Sequence, residues 1–258
     1  MAAPELAELE QLVGGWQADF SERIVGASAE LVDAIEAKLG VALAPEHRAF
    51  LERMGEDSDG LNAYGDDMVD LRAPALLEFL DSDHGFDPRA FVIAGVSHDL
   101  AVPLLMFDRR GGQEVAPLVR VGFGDGTTPA ITAEHTSFVA MLFAFAFIQK
   151  CLPRFAWELH LESPGTRRPH FPDCPPGRWL PRFAAIVREL GFVPIAHTGP
   201  WCLAAERADA AVMIYECPGF TPDIRVAAHE RVELARLTEI LSDNLELRTR
   251  PNSLRRPA

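Results

Sequence analysis

The chain lacks the marks of export and of membrane insertion. Its first sixteen residues, MAAPELAELEQLVGGW, have no basic start and no long apolar run, so no secretory signal is expected. Leu6, Leu9, Val13 and Trp16 are spaced instead for an amphipathic helix. The most apolar stretch, FVAMLFAFAFI at residues 138–148, is far shorter than the roughly 20 residues that cross a bilayer, and it reads as a buried helix. Cysteine is scarce: Cys151, Cys174, Cys202 and Cys217 form no C-x-x-C pair. They read as thiols in or near a core. A zinc site drawn through His170, Cys174, Cys202 and Cys217 lacks the tight cysteine pair such sites usually show. There is no P-loop, no G-x-G-x-x-G, no H-E-x-x-H and no G-x-S-x-G elbow. No internal repeat is visible. The expectation is a cytoplasmic protein with no catalytic residues, no cofactor and no metal.

What is present is a globular composition. The 258 residues are 48% hydrophobic and 24% charged, enough for one large or two ordinary domains with a core of useful size. The net charge of −14 is unevenly spread. Residues 1–150 hold 25 acidic against 10 basic side chains, a net −15, and residues 151–258 hold 13 against 14, a net +1. A field of that sign repels phosphate backbones and anionic lipid, so neither nucleic acid nor membrane is expected as a partner. It attracts basic proteins.

Residues 163–181, SPGTRRPHFPDCPPGRWLP, hold six prolines and two glycines. Proline at that density excludes helix and interior strand. The expected division is a first acidic α+β domain over residues 1–162, a proline-rich linker over 163–181, a smaller α+β sandwich domain over 182–248, and a frayed basic tail over 249–258.

In the first domain a helix is expected over residues 4–20. Two more follow within SAELVDAIEAKLGVALAPEHRAFL, residues 28–51. Leu31, Ile35 and Leu39 share a face, Ser28 is placed as N-cap, and Gly40 as the stop. Pro45 opens the second helix, where its missing N–H costs nothing. Phe50, Leu51 and Met54 give it an apolar face. Further expectations are strands at 68–71, 91–96, 102–108 and 115–121, and helices at 73–80 and 137–150. In the second domain helices are expected at 180–190 and 232–245. Four strands are expected between them, at 192–197, 202–207, 212–217 and 223–228.

Several residue sets have the types that could carry chemistry. Gly122-Phe123-Gly124-Asp125-Gly126 reads as a loop, because nothing after it looks like a phosphate-binding helix start. His98-Asp99 reads as a capped turn. Glu158, His160 and Glu162 alternate on one strand face, as a proton-transfer set or as the solvent side of an edge strand. Arg167, Arg168, His170 and Phe171, and the tail residues Arg248, Arg250, Arg255 and Arg256, are short basic patches opposed by the net charge. The best candidate surface is acidic: Glu56, Asp57, Asp59, Asp66, Asp67 and Asp70, with Tyr64 among them. Such a set pairs with Lys and Arg of a partner and steers encounter. Tyr64 adds an interface anchor. A plain solvated loop is the alternative. Calcium is disfavoured, because Met68 stands where a bidentate Glu would be needed.

The order of these motifs resembles the SUKH superfamily, the Smi/Knr-like proteins. Leu39-Gly40, Leu43 and Phe50-Leu51 match the family's opening at the expected spacing, and Asp59-Gly60 resembles its Asn-Gly loop. The strand–turn–strand run 92–112 and Ser137-Phe138 before an apolar helix resemble its centre and close. Ala44-Pro45 displaces the usual proline, and His47 stands where Tyr or Phe is usual. The resemblance covers about residues 28–150. It implies helices packed on a twisted, mainly antiparallel sheet, and a role by binding. Many bacterial members look like immunity proteins that neutralise a cognate toxin, nucleases and deaminases included. The expected partner is therefore a basic protein toxin. A regulatory or scaffolding module binding a host protein is the alternative, and an enzyme with a site at the domain junction is a second.

Overall fold

The structure, a computed structural model, describes residues 4–61, 69–82, 86–97, 103–112, 115–122, 130–163, 177–218, 222–251 and 253–254. It is a mixed α+β chain in two compact units, Met1–Ala146 and Phe147–Ala258.

The first unit places helices before and after an antiparallel meander. Helices α1 (Pro4–Trp16), α2 (Phe20–Arg23), α3 (Ala29–Leu39), α4 (Pro45–Met54) and α5 (Ala73–Leu80) precede it. The sheet order is β1 (Phe91–Gly95), β2 (Leu104–Asp108), β3 (Leu118–Gly122) and β4 (Ala130–His135), and α6 (Phe138–Ala146) follows. Each strand pairs with the next, so short turns suffice.

The α3–α4 turn forms as its residues dictate. Ser28 Oγ accepts the Leu31 N–H at 3.2 Å and Gly40 closes α3 at φ +65°, the left-handed conformation that glycine adopts without strain. Pro45 occupies the first turn of α4. The buried face of α3 is Val32, Ile35 and Leu39, and Leu31 is only half-buried. Gly26 is required by close approach: a Cβ there would lie 2.0 Å from the Glu52 carbonyl oxygen. The guanidinium of Arg53 takes both carboxylate oxygens of Glu10, at 2.7 and 2.8 Å, and ties α4 to α1.

His47 sits at the centre of this core. It is fully buried, 5.1 Å from the Phe107 ring and 5.0 Å from the Phe138 ring, and neither ring nitrogen has a hydrogen-bond partner. It fills the space an aromatic ring would fill. Burial pushes its pKa down to about 3, so it is held neutral.

The second unit is a six-stranded antiparallel sheet with helices on one face. Its strands are β5 (Trp157–Glu162), β6 (Val193–Pro194), β7 (Cys202–Arg207), β8 (Ala210–Tyr215), β9 (Asp223–Ala228) and β10 (Arg248–Thr249), in the order β10-β5-β9-β8-β7-β6. Helices α7 (Leu180–Glu189) and α8 (Arg231–Leu245) pack on the face bearing Leu159, Leu161, Val212, Ile214, Ile224 and Val226. The two-residue turn at Ala208-Asp209 sets Arg207 opposite Ala210. Glu216, buried just past β8, accepts the N–H groups of Arg178 and Leu180 at 2.7 and 2.8 Å and that of Trp179 at 3.2 Å. One carboxylate thus serves the start of α7 in place of a local cap.

Several expectations are corrected. The division lies at Ala146/Phe147 and not in the proline-rich stretch. The reason is β5, which hydrogen-bonds β9 and β10 and so belongs with the second sheet, not with residues 1–146. Of the linker 163–181, residues 164–176 lie outside the described residues, and Leu180 already opens α7. The tail does not fray from residue 249, because Thr249 pairs with Leu161; residues 255–258 lie outside the described set. The expected helix 4–20 breaks after Trp16 and that at 137–150 gives way after Ala146 to a π-helical turn, Phe147–Cys151. Of the strand at 68–71 only an isolated bridge between Asp70 and Val96 forms among the described residues.

Candidate functional site

The acidic segment follows α4 and turns back on itself. Asp57 forms an antiparallel bridge with Val25, whose N–H reaches the Asp57 carbonyl at 2.8 Å. Asp57 Oδ1 then accepts the Asp59 N–H at 2.7 Å. That bond holds Asp59 and Gly60 in consecutive left-handed conformations, φ +50° and +81°. Asp tolerates that region because its short side chain bonds locally.

The result is a cleft of about 380 Å³ lined by Glu56, Asp57, Ser58, Asp59, Gly60, Asp70 and Arg72. Four of the seven residues expected on the binding surface, Glu56, Asp57, Asp59 and Asp70, are brought together there. Tyr64, Asp66 and Asp67 lie outside the described residues.

The four carboxylates are not equivalent. Asp59 takes Arg23 Nη2 on one oxygen and Gln17 Nε2 on the other, both at 2.8 Å. Asp70 is buried and binds Arg72 through both oxygens, with Arg72 Nη2 at 2.6 Å from Oδ2. Asp59 and Asp70 therefore build the walls, each neutralised by an arginine. Glu56 and Asp57 are exposed and carry the charge the cleft offers to solvent. Arg72, Arg23 and Gln17 were not foreseen. The D-x-R spacing of Asp70 and Arg72 is a signal for the first. The other two come from α2 and the end of α1, and nothing in the sequence links them to residue 59.

The remaining candidates fall differently. Glu158, His160 and Glu162 do share one face of β5, but β5 is an interior strand and the set faces other side chains as well as solvent. His160 Nε2 lies 3.1 Å from Glu158 Oε1, and Nδ1 lies 3.8 Å from Asp223 and 3.5 Å from Arg250. Arg248 and Arg250 of the expected solvated tail are ion-paired with Glu162. In the first unit β4 carries a one-residue bulge at Glu134. Glu134 lies 3.7 Å from Arg120, and both are buried. Burial pushes Glu134 up to about 7, and burial with the Arg120 charge pushes His135 down to about 3. Cys151, Cys202 and Cys217 are buried thiols, and burial raises the pKa of Cys151 and Cys202 and leaves them unreactive. His98, Asp99, residues 123–126, Arg167, Arg168, His170, Phe171, Cys174, Arg255 and Arg256 lie outside the described residues. Among the described residues no helix is long and apolar enough to cross a membrane, and no cluster of side chains has the makings of a metal site.

No family model, no curated protein and no solved structure matches this chain.

Proposed function

We propose that the protein acts by binding, as an immunity-type protein that neutralises a basic cognate toxin. The observation that carries this reading is the cleft of the first unit, open at Glu56 and Asp57, in the part of the chain with a net −15. Its walls are rigid, because Asp59 and Asp70 are each held by an arginine. A preformed acidic cleft of this kind favours fast, salt-sensitive association with Lys- and Arg-rich surfaces. A nuclease or deaminase presents such a surface to its nucleic acid, so the same contact would block the toxin's substrate. The motif order of residues 28–150 supports a role by binding.

The experiment is co-expression with the toxin-like protein encoded beside this chain, scored by survival and by co-purification. Survival with a stable complex supports the proposal. Failure to associate at low salt overturns it. Recovery of housekeeping proteins alone from the native cell would instead support the regulatory-module reading.

A further inference from the structure

The described part of the segment from Arg248 to Leu254, residues 248–251 and 253–254, holds to β5 without placing an apolar side chain in the core. Arg248, Thr249, Pro251 and Leu254 are exposed, and Ser253 is a buried polar residue. Ladder pairing is limited to Arg248 opposite Glu162 and Thr249 opposite Leu161. The rest of the hold is polar. Arg250 N–H donates to the His160 carbonyl at 2.9 Å, and the His160 N–H donates to Ser253 Oγ at 3.2 Å. Arg248 Nη2 reaches Glu162 Oε1 at 2.9 Å. Arg250 spans Glu162 Oε2 at 3.3 Å and Asp223 Oδ1 at 3.1 Å.

With that segment lifted, the surface beneath it is an unpaired strand edge with a charge pattern. Among the described residues, Glu158, Glu162 and Asp223 lie on that face, with Arg225 at 3.3 Å from Asp223 and 3.8 Å from Glu158. The two arginines of the segment bring positive charge to these carboxylates. Arginines at alternate positions of an extended chain fall on one face, about 7 Å apart, which is the spacing this slot selects.

We propose that Arg248–Leu254 is an exchangeable strap, and that the slot it fills on β5 is a docking edge for an extended basic peptide bearing Arg-x-Arg. Such a peptide adds a strand to the sheet: its backbone takes the polar groups of His160, and its two guanidinium groups take Glu162 and Asp223. The strap is the intramolecular competitor. A segment held by ion pairs and few ladder bonds opens far below the cost of global unfolding, and salt weakens the hold. This proposal concerns the second unit and is independent of the acidic cleft.

The test uses the full-length R248Q/R250Q variant and a labelled peptide of the strap's own sequence, LRTRPNSL. Fluorescence anisotropy at about 50 mM salt is expected to show binding that falls at least about tenfold near 500 mM. Replacing both peptide arginines with Gln, or adding E162Q to the protein, is expected to cost at least about tenfold as well. Equal binding of the Gln peptide overturns the proposal, as does no binding to a folded variant. A variant that fails to fold overturns it too, because the segment is then structural. A concentration-dependent dimer that the peptide does not dissolve would assign the slot to a second copy and also overturn it. In the unaltered chain, the His160 and Arg250 amides should exchange at least about tenfold faster than those of β8; exchange at the β8 rate contradicts an exchangeable strap.

Discussion

Arg48 Nη1 meets Glu36 Oε2 at 2.6 Å, while the other oxygen of the same carboxylate accepts the Leu43 N–H at 2.9 Å. One glutamate of α3 thus fixes both the turn and the helix beyond it. Arg48 also takes Asp33 at 2.7 Å and Glu52 at 2.9 Å. These partners hold its guanidinium above the ordinary arginine range, chiefly through the Asp33 hydrogen bond. This clamp fixes α4 against α3 and the turn between them.

Loss of the clamp should destabilise the first unit. R48A is expected to lower stability by about 1–2 kcal/mol, and E36A by a similar amount, because Arg48 and Glu36 are partly exposed and the loss is discounted accordingly. The double variant should cost less than the sum. Urea unfolding followed by far-UV circular dichroism measures all three, and additivity would show that Arg48 and Glu36 act separately.

A pH dependence of stability follows from three buried groups. His47 and His135 have folded pKa values of about 3, below the ordinary 6.5. The stability they contribute is present above pH 6.5 and is lost as pH falls. Glu134 is raised from 4.5 to about 7, so its contribution is present below pH 4.5 and is lost as pH rises through 7. Between about pH 5 and 6 the two histidines outweigh the one glutamate, and stability should rise with pH, by on the order of 1 kcal/mol per pH unit. H47F removes one histidine from that balance. Its stability should be nearly flat over the same window, read from urea midpoints at each pH. An unchanged slope in H47F would rule out His47 as a source.

Glu216 is the capping group for α7, so its removal acts on the second unit. E216A leaves three N–H groups without their acceptor and is expected to cost about 2–3 kcal/mol, with E216Q milder. Hydrogen exchange in α7 should accelerate in E216A more than exchange in α1. Uniform acceleration would contradict a local role.

How much of this was legible follows the range of the interactions. Ser28, Gly40 and Pro45 act on neighbours within four residues, and their roles are readable from spacing alone. So is the α8 face of Leu234, Leu237, Leu241 and Leu245, all buried. The strand Ala130–His135 was missed because its β-branched residues are only Ile131 and Thr132, and its bulge at Glu134 breaks the alternation. The unit boundary was misplaced because proline density reports where the chain cannot be regular, not which sheet the preceding strand joins. The partners of His160 are Asp223 and Arg250, dozens of residues away, and only strand pairing brings them together. For the same reason Asp59 and Asp70 looked like free charges: their arginines are visible in the sequence, but for Arg23 the pairing is not.

The acidic cleft divides its carboxylates into walls and offered charge, and substitutions should divide the same way. D59N and D70N are expected to lower stability, by about 1–3 kcal/mol at the buried Asp70, because each carboxylate accepts hydrogen bonds from more than one donor. E56Q and D57N should leave the unfolding midpoint within about 0.5 kcal/mol. Thermal melts of the four variants check this, and equal destabilisation by all four would dissolve the distinction.

The central claim is that Glu56 and Asp57 steer a basic toxin onto the cleft. Stopped-flow association of the full chain with a basic toxin that it neutralises on co-expression, against salt, tests that claim most directly. The account predicts an association rate constant that falls steeply between about 50 and 500 mM salt, and that E56Q/D57N lowers the low-salt rate several-fold while flattening the salt dependence. A rate constant indifferent to salt, or unchanged in E56Q/D57N, would contradict it.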